Sequence, residues 1–192
     1  LTQVSTYNPV ITLNTSNRTV SVAAGTLPGT YHIVYKDTTL LGGNSDTATV
    51  TVIVPGIAPA PDMKMDVSAN TPFYVSGSPL DTFYTVSNVG NAPTNGSPVK
   101  LSVTIVAEQG DYTYTLPSGW NLESHIGNTF VFTTNKIFNQ GDSDTVILNY
   151  TSTGTAQSGT PALFNASILP ASGGEINALN NTDSEVIIKT TE

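Results

Sequence analysis

GNSDTATVTVIVPGIAPAPDMKMDVSA, residues 43–69, carries the pattern that decides the fold. From Ser45 to Val54, small polar and β-branched residues alternate. Ala48, Val50, Val52 and Val54 fall on one face, Thr49 and Thr51 on the other, as in a half-buried antiparallel strand. Pro55, Pro59 and Pro61 then interrupt it, because proline cannot donate to a ladder and pushes its neighbour toward extended backbone. PGIAPAP reads as a polyproline II spacer about 20 Å long, at roughly 3.1 Å per residue. From Asp62 the alternation resumes. The proline run therefore marks a boundary, and Ile57 and Met63 are expected to pack between the modules on either side of it.

Strand patterns fill both flanks. PVITLN (9–14) and RTVSVAA (18–24) surround an Asn/Ser turn. GTYHIVYKD (29–37) sets Tyr31, Ile33 and Tyr35 on one face with His32 opposite, a solvated strand residue. Beyond the prolines, strands are expected near 62–69, 72–76, 81–88, 98–107, 111–115, 129–134, 144–151, 162–169 and 183–190. Their inward faces read as Leu101, Val103 and Ile105; Phe130 and Phe132; Val146, Leu148 and Tyr150; Phe164, Ala166 and Ile168; Val186 and Ile188. Asn95-Gly96 signals a tight turn, and GGEINALNN (173–181) leads into the last strand. No segment sustains a helical period. Short, regularly spaced strands punctuated by Gly, Pro and Asn predict an all-β protein of two Ig-like antiparallel β-sandwich modules in tandem. The first, 1–55, is small or partial; 56–61 is a Pro-rich linker; 62–192 is the larger sandwich.

Composition excludes several functions. Only 10% of the 192 residues are charged and 38% are hydrophobic, so Thr, Ser and Asn must build the surface. A net charge of -8, spread along the chain, argues against nucleic acid, and with Arg18 the only arginine bidentate phosphate recognition is nearly excluded. The lack of cysteine removes disulfides, thiolate metal sites and Cys nucleophiles together. No apolar run approaches the ~20 residues of a membrane span, and membrane insertion is not expected. LTQVSTYNPV has neither a basic nor an apolar leader region, so the chain is read as a piece of a longer protein without a signal peptide of its own.

GTLPGTYHIVYKD followed by NSDTATVTVIV resembles the closing half of an Ig-like repeat of secreted Bacteroidota adhesins. Leu27-Pro28-Gly29-Thr30-Tyr31 resembles the tyrosine corner of Greek-key sandwiches, whose hydroxyl bonds back to nearby backbone. YTVSNVGNAPTNG (84–96), YTLPSGW (114–120), GDSDTVILNY (141–150) and GGEINALNNTDSEVIIKT (173–190) are similar to bacterial cell-adhesion-related repeats, in which an Asn-x-Gly strand end and an Asn-Asn turn before the last strand recur. The resemblance implies a non-enzymatic stalk or adhesion segment of a long, repetitive, extracellular cell-surface adhesin of the gliding-motility type. Its implied partners are neighbouring repeats and a solid surface, glycan or host protein. The alternative is a carbohydrate- or protein-binding accessory module of a secreted enzyme.

No catalytic constellation stands out. His32 and His125, the latter assigned to a loop, are the only histidines, and no nucleophile elbow, metalloprotease helix or phosphate loop occurs. Asp142 and Asp144, two apart, and Asn181 with Asp183 are calcium candidates, since calcium takes six to eight oxygens from such residues; solvated turn residues are the competing assignment. Tyr112, Tyr114 and Trp120 are weighed as a sugar platform and assigned to packing. Asn-x-Ser/Thr sequons occur at Asn14, Asn17, Asn95, Asn149, Asn165 and Asn180. Lys36, Lys100 and Lys189 are candidates for an isopeptide staple, with ordinary solvated lysines as the competing assignment.

Overall fold

Period-2 patterning becomes strand along most of the chain. The computed structural model describes residues 2–3, 10–14, 16–38, 45–56 and 58–191, and the chain divides into two units, Leu1–Ala58 and Pro59–Glu192. In the first unit the strands are β1 (Thr2–Gln3), β2 (Ile11–Asn14), β3 (Thr19–Val22), β4 (Gly29–Thr38) and β5 (Ser45–Val54). β1, β4 and β5 form one antiparallel sheet in that order, and β2 pairs with β3 in a second. The predicted face of β5 is sheltered only toward the strand's end: Val50, Val52 and Val54 are half-buried while Thr49 and Thr51 are exposed, and Ala48, expected on the sheltered face, is exposed. The cover is thin. Among the described residues of this unit, only Ile11 and Ile33 are buried apolar side chains. The Tyr31 hydroxyl donates to the Leu27 carbonyl at 2.7 Å, closing the corner that the motif implied.

The second unit contains β6 (Met63–Ala69), β7 (Phe73–Tyr74), β8 (Pro79–Asn88), β9 (Val99–Val106), β10 (Gly110–Thr115), β11 (Trp120–Ile126), β12 (Thr129–Thr134), β13 (Ser143–Ser152), β14 (Pro161–Ile168) and β15 (Thr182–Lys189). One sheet runs β10-β13-β8-β6 and the other β11-β12-β9-β14-β15-β7. All pairings are antiparallel except β15 with β7, which is parallel. The only helical feature among the described residues is a three-residue 3-10 turn, Ser172–Gly174. The fold is the all-β, Ig-like sandwich arrangement that the sequence predicts.

The two inner faces meet in one core. Leu101, Val103, Ile105, Phe130, Phe132, Val146, Leu148, Tyr150, Phe164, Ala166 and Ile168 are all buried there, as the alternation indicated. Tyr150 lies at the aromatic centre, stacked on Tyr112 and edge-on to Tyr74 and Phe164, with its hydroxyl donating to the Glu108 carbonyl at 3.0 Å. Burying a side chain of this size contributes about 1.5–3 kcal/mol. With 23 buried apolar residues in its core cluster, the second unit has the larger driving force.

Three expectations are corrected. β15 sits one residue out of the expected register: Ile187 and Lys189 are buried, whereas Val186 is exposed and Ile188 only half-buried. A one-residue shift exchanges the faces of a whole strand. Because Asp183 and Glu185 lie opposite the inward Ala166 and Phe164, the inner edge of β15 carries Asp183, Glu185, Ile187 and Lys189. His125 belongs to strand β11, not to a loop; the register irregularity between Leu122 and Ser124 breaks the alternation that would have marked it. Met63 is fully buried in the second unit's own core and is not a surface residue of the joint, while Ile57 lies outside the described residues.

Candidate functional site

β6 is an edge strand, and the N–H groups of Met63, Met65 and Val67 point away from its ladder with β8. An open row of such donors is a template for unwanted pairing. Here every one is capped by the segment entering β15: Met63 N donates to Glu175 Oε2 (2.8 Å), Met65 N to the Asn180 carbonyl (3.0 Å) and Val67 N to Asp183 Oδ2 (2.7 Å). Glu175 is buried, and its other oxygen accepts Asn181 Nδ2 at 2.5 Å. Burial pushes the Glu175 carboxyl up, against the lowering effect of these hydrogen bonds. Asn181 and Asp183, two of the calcium candidates, thus belong to a seam joining the two sheets.

The other two candidates do not converge on a common ion position. Asp144 accepts Trp120 Nε1 on one oxygen (2.9 Å) and Lys136 Nζ on the other (2.7 Å), which fastens β13 of one sheet to β11 of the other. Asp142 accepts the backbone and side-chain N–H groups of Asn139 at 2.8 and 3.0 Å, closing the turn before β13. Among the described residues, no three His, Cys, Asp or Glu side chains gather as a metal site would require. Chelator is therefore expected to leave the second unit's melting temperature unchanged. A melting temperature rising with calcium, as ligand linkage requires, would overturn this.

No sequence motif marks a further carboxylate. Glu108, after β9, accepts Lys189 Nζ and Ser152 Oγ on one oxygen, both at 2.5 Å, and Ala156 N on the other at 2.8 Å. Lys189 Nζ also donates to the Gly154 carbonyl at 3.2 Å and lies 5.9 Å from the Tyr74 ring centroid. The side chains of Lys189 and Glu108 are only 6% and 9% exposed. Burial alone would raise the Glu108 carboxyl, but the bonds from Lys189, Ser152 and Ala156 and the lysine charge outweigh it and hold it at about 2. The Tyr74 hydroxyl beside it is pushed up to about 12, first by burial and then by that negative charge. Lys189 is thus the cation of an ion pair, and Lys100 pairs with Glu123 at 2.6 Å.

At the pole where β6 begins, Asn88 ends β8 fully buried. Its amide donates to the carbonyls of Ala92 (2.8 Å) and Phe138 (2.9 Å), and its oxygen accepts Asp62 N (3.1 Å) and Gly90 N (3.0 Å). Gly90 is required here because a Cβ would stand 2.5 Å from the Ala60 carbonyl and from Asp62 N. The Asn-x-Gly strand end singled out in the sequence is therefore a hydrogen-bonding hub beside a close backbone approach.

The remaining candidates bring no reactive groups together. His32 is exposed, with Nδ1 3.2 Å from Thr51 Oγ1, and His125 stacks on Phe130 at 3.9 Å with Nε2 2.8 Å from the Gly127 carbonyl. Trp120 is buried, Tyr112 packs on Tyr150 and Phe130, and Tyr114 meets Phe132 edge-on, so the three aromatics form no exposed platform. A shallow groove on the six-stranded sheet is lined by Ser102, Thr104, Asn165, Ala166, Ser167, Thr182, Asp183 and Ser184. Of the sequons, Asn149 is held by Asp81 at 2.8 Å, whereas Asn14 and Asn17 are exposed at the β2–β3 turn. Charge is segregated: the second unit holds twelve carboxylate residues against four lysines, while Arg18 and Lys36 balance Asp37 and Asp46 in the first. No helix among the described residues is long and apolar enough to cross a membrane.

No protein-family model and no curated protein matches the chain. Among solved structures, it is similar to the CARDB domain of a Pyrococcus furiosus protein in complex with di-metal ions, with 14% identity and a TM-score of 0.47, over 68% of this chain and 90% of that one. A cohesin module of a Clostridium perfringens family 33 glycoside hydrolase gives 11% identity and a TM-score of 0.42, over 70% and 100%. BcpA, the major pilin subunit of Bacillus cereus, gives 11% and 0.41, over 86% and 56%.

Proposed function

We propose that this chain is a non-enzymatic stalk or adhesion segment of a long, repetitive bacterial cell-surface protein, working outside the cell by extension and spacing. The observation that carries this reading is the use of its carboxylates. Glu108, Asp144 and Glu175 accept hydrogen bonds within the sandwich on both carboxylate oxygens and fasten its segments to one another. Catalytic acids and metal ligands instead face a cleft or an ion. The adhesin-like motifs at 25–37, 84–96 and 173–190 support the same reading. In this role Pro55, Pro59 and Pro61 set the spacing between modules.

Two measurements test it. The full-length sequence is expected to contain further copies of this pattern, and catalytic sequence without copies would favour the accessory-module reading. In solution scattering, replacing the three prolines with glycine is expected to broaden the inter-module distance distribution and leave both melting transitions in place. A wild-type distribution already as broad as the variant's would remove the stiff spacer.

A further inference from the structure

The first and last strands of the second unit lie side by side and run the same way. Met65 bonds to Asn180 and Val67 to Asp183; farther on, Ile188 N donates to the Pro72 carbonyl (3.2 Å) and Thr190 N to the Tyr74 carbonyl (2.9 Å). Residue numbers rise together along both partners, so the pairing is parallel, as the β7–β15 register also shows. The N-terminal segment changes sheets between Ala69 and Phe73 yet stays against the C-terminal strand throughout: β6 belongs to the four-stranded sheet and β7 to the six-stranded one. Where β6 is separated from β15 by the gap between sheets, the Asp183 carboxylate spans it; Glu175 does the same for Met63.

We infer that the second unit is a load-bearing module whose terminal strands form a shear clamp. Because the strands are parallel, the chain enters at Met63 and leaves at Lys189 at opposite ends of the pair. Tension applied through the chain then slides β6–β7 along β15. The bonds at Met63, Met65, Val67, Ile188 and Thr190 lie across that direction and are loaded together, whereas in an antiparallel terminal pair they would open one after another. Forced unfolding follows the unfolding barrier, and bonds that must break before any other structure yields set that barrier. Lys189, locked to Glu108, anchors the far end of β15. The clamp uses only strands of this unit. It gives the proposed stalk a mechanical role but does not depend on that reading.

The test is single-molecule stretching of the whole chain held between two marker domains. The second unit is expected to yield in one event releasing roughly 400 Å of chain for Pro59–Glu192. Asp183→Ala removes a charge-assisted bond and Thr190→Pro removes a donor at the strand's end. Each is expected to raise the unfolding rate extrapolated to zero force about tenfold, the loss expected for such hydrogen bonds. Asp142→Ala, which loosens a turn outside the clamp, should leave the rupture force unchanged. If both clamp variants rupture at the wild-type force, or if Asp142→Ala weakens the unit as much as they do, the clamp is refuted. Absence of further copies in the full-length protein would instead remove the stalk and leave these traces as they are.

Discussion

Glu108→Ala is expected to lower the melting temperature of the second unit by about 10–20 °C. Removing one partner of a buried pair strands the other charge, at about 3–5 kcal/mol, and a domain of this size loses a few degrees per kcal/mol. Ser152 Oγ and Ala156 N lose their acceptor at the same time. Glu108→Gln keeps the shape but not the charge and should fall nearly as far. Adding Lys189→Met to Glu108→Gln should recover most of the loss, because the lysine no longer needs a counter-charge. Acid supplies a second check. The Glu108 carboxyl is lowered from its ordinary 4.5 to about 2 in the folded protein, so its contribution is complete above pH 4.5 and is lost as pH falls toward 2. Glu175 has the opposite sign: its carboxyl is raised on folding, so it favours the fold at low pH and opposes it as pH rises through the folded value. The acid-induced fall in wild-type melting temperature should therefore shrink in Glu108→Ala. An unchanged slope would remove the ion pair from the account.

Asn88→Ala should cost about 2–4 kcal/mol, since buried backbone groups left without partners cost about 1–3 kcal/mol each. Four backbone groups depend on this one amide: the Phe138 carbonyl, which is buried, and Asp62 N, Gly90 N and the Ala92 carbonyl, which are part-buried and regain some of the loss from water. Asn88→Asp is no remedy, because a carboxylate cannot donate to the two carbonyls. Chemical denaturation of the two variants checks this, and an aspartate variant as stable as wild type would contradict the assignment.

How much of this was legible in the sequence varied with the kind of residue. Strands with one clean apolar face, such as 98–107 and 144–151, announced their inner sides because nothing competed for them. Tyr31 and Asn88 were legible as motifs, and the structure supplies their hydrogen bonds. β15 was misread because Val186, Ile187 and Ile188 are consecutive apolar residues, so either register is allowed by hydrophobicity alone. The deciding partners, Glu108 for Lys189 and Val67 N for Asp183, lie 81 and 116 residues away in the chain. No local pattern encodes them. Comparable distances hid Glu108 and Glu175 altogether and made Asp183 look like a free ligand, whereas the partners of Asp144, Trp120 and Lys136, lie only 24 and 8 residues away. The strand β11 is hidden because Ser124 stands where the alternation from Trp120 and Leu122 calls for an apolar residue, at the point where the register shifts.

The carboxylate fastenings also decide what chemistry can loosen the molecule. Many small extracellular domains join their sheets with a disulfide, and the thiol–disulfide poise of the surroundings then governs them. This chain has no cysteine, and its sheets are joined instead through Asp144 to Trp120 and through Asp183 to Val67. Reductants have nothing to cut, and an oxidising environment adds nothing. The second unit should be equally firm in anoxic sediment, in a thiol-rich biofilm or in aerated water.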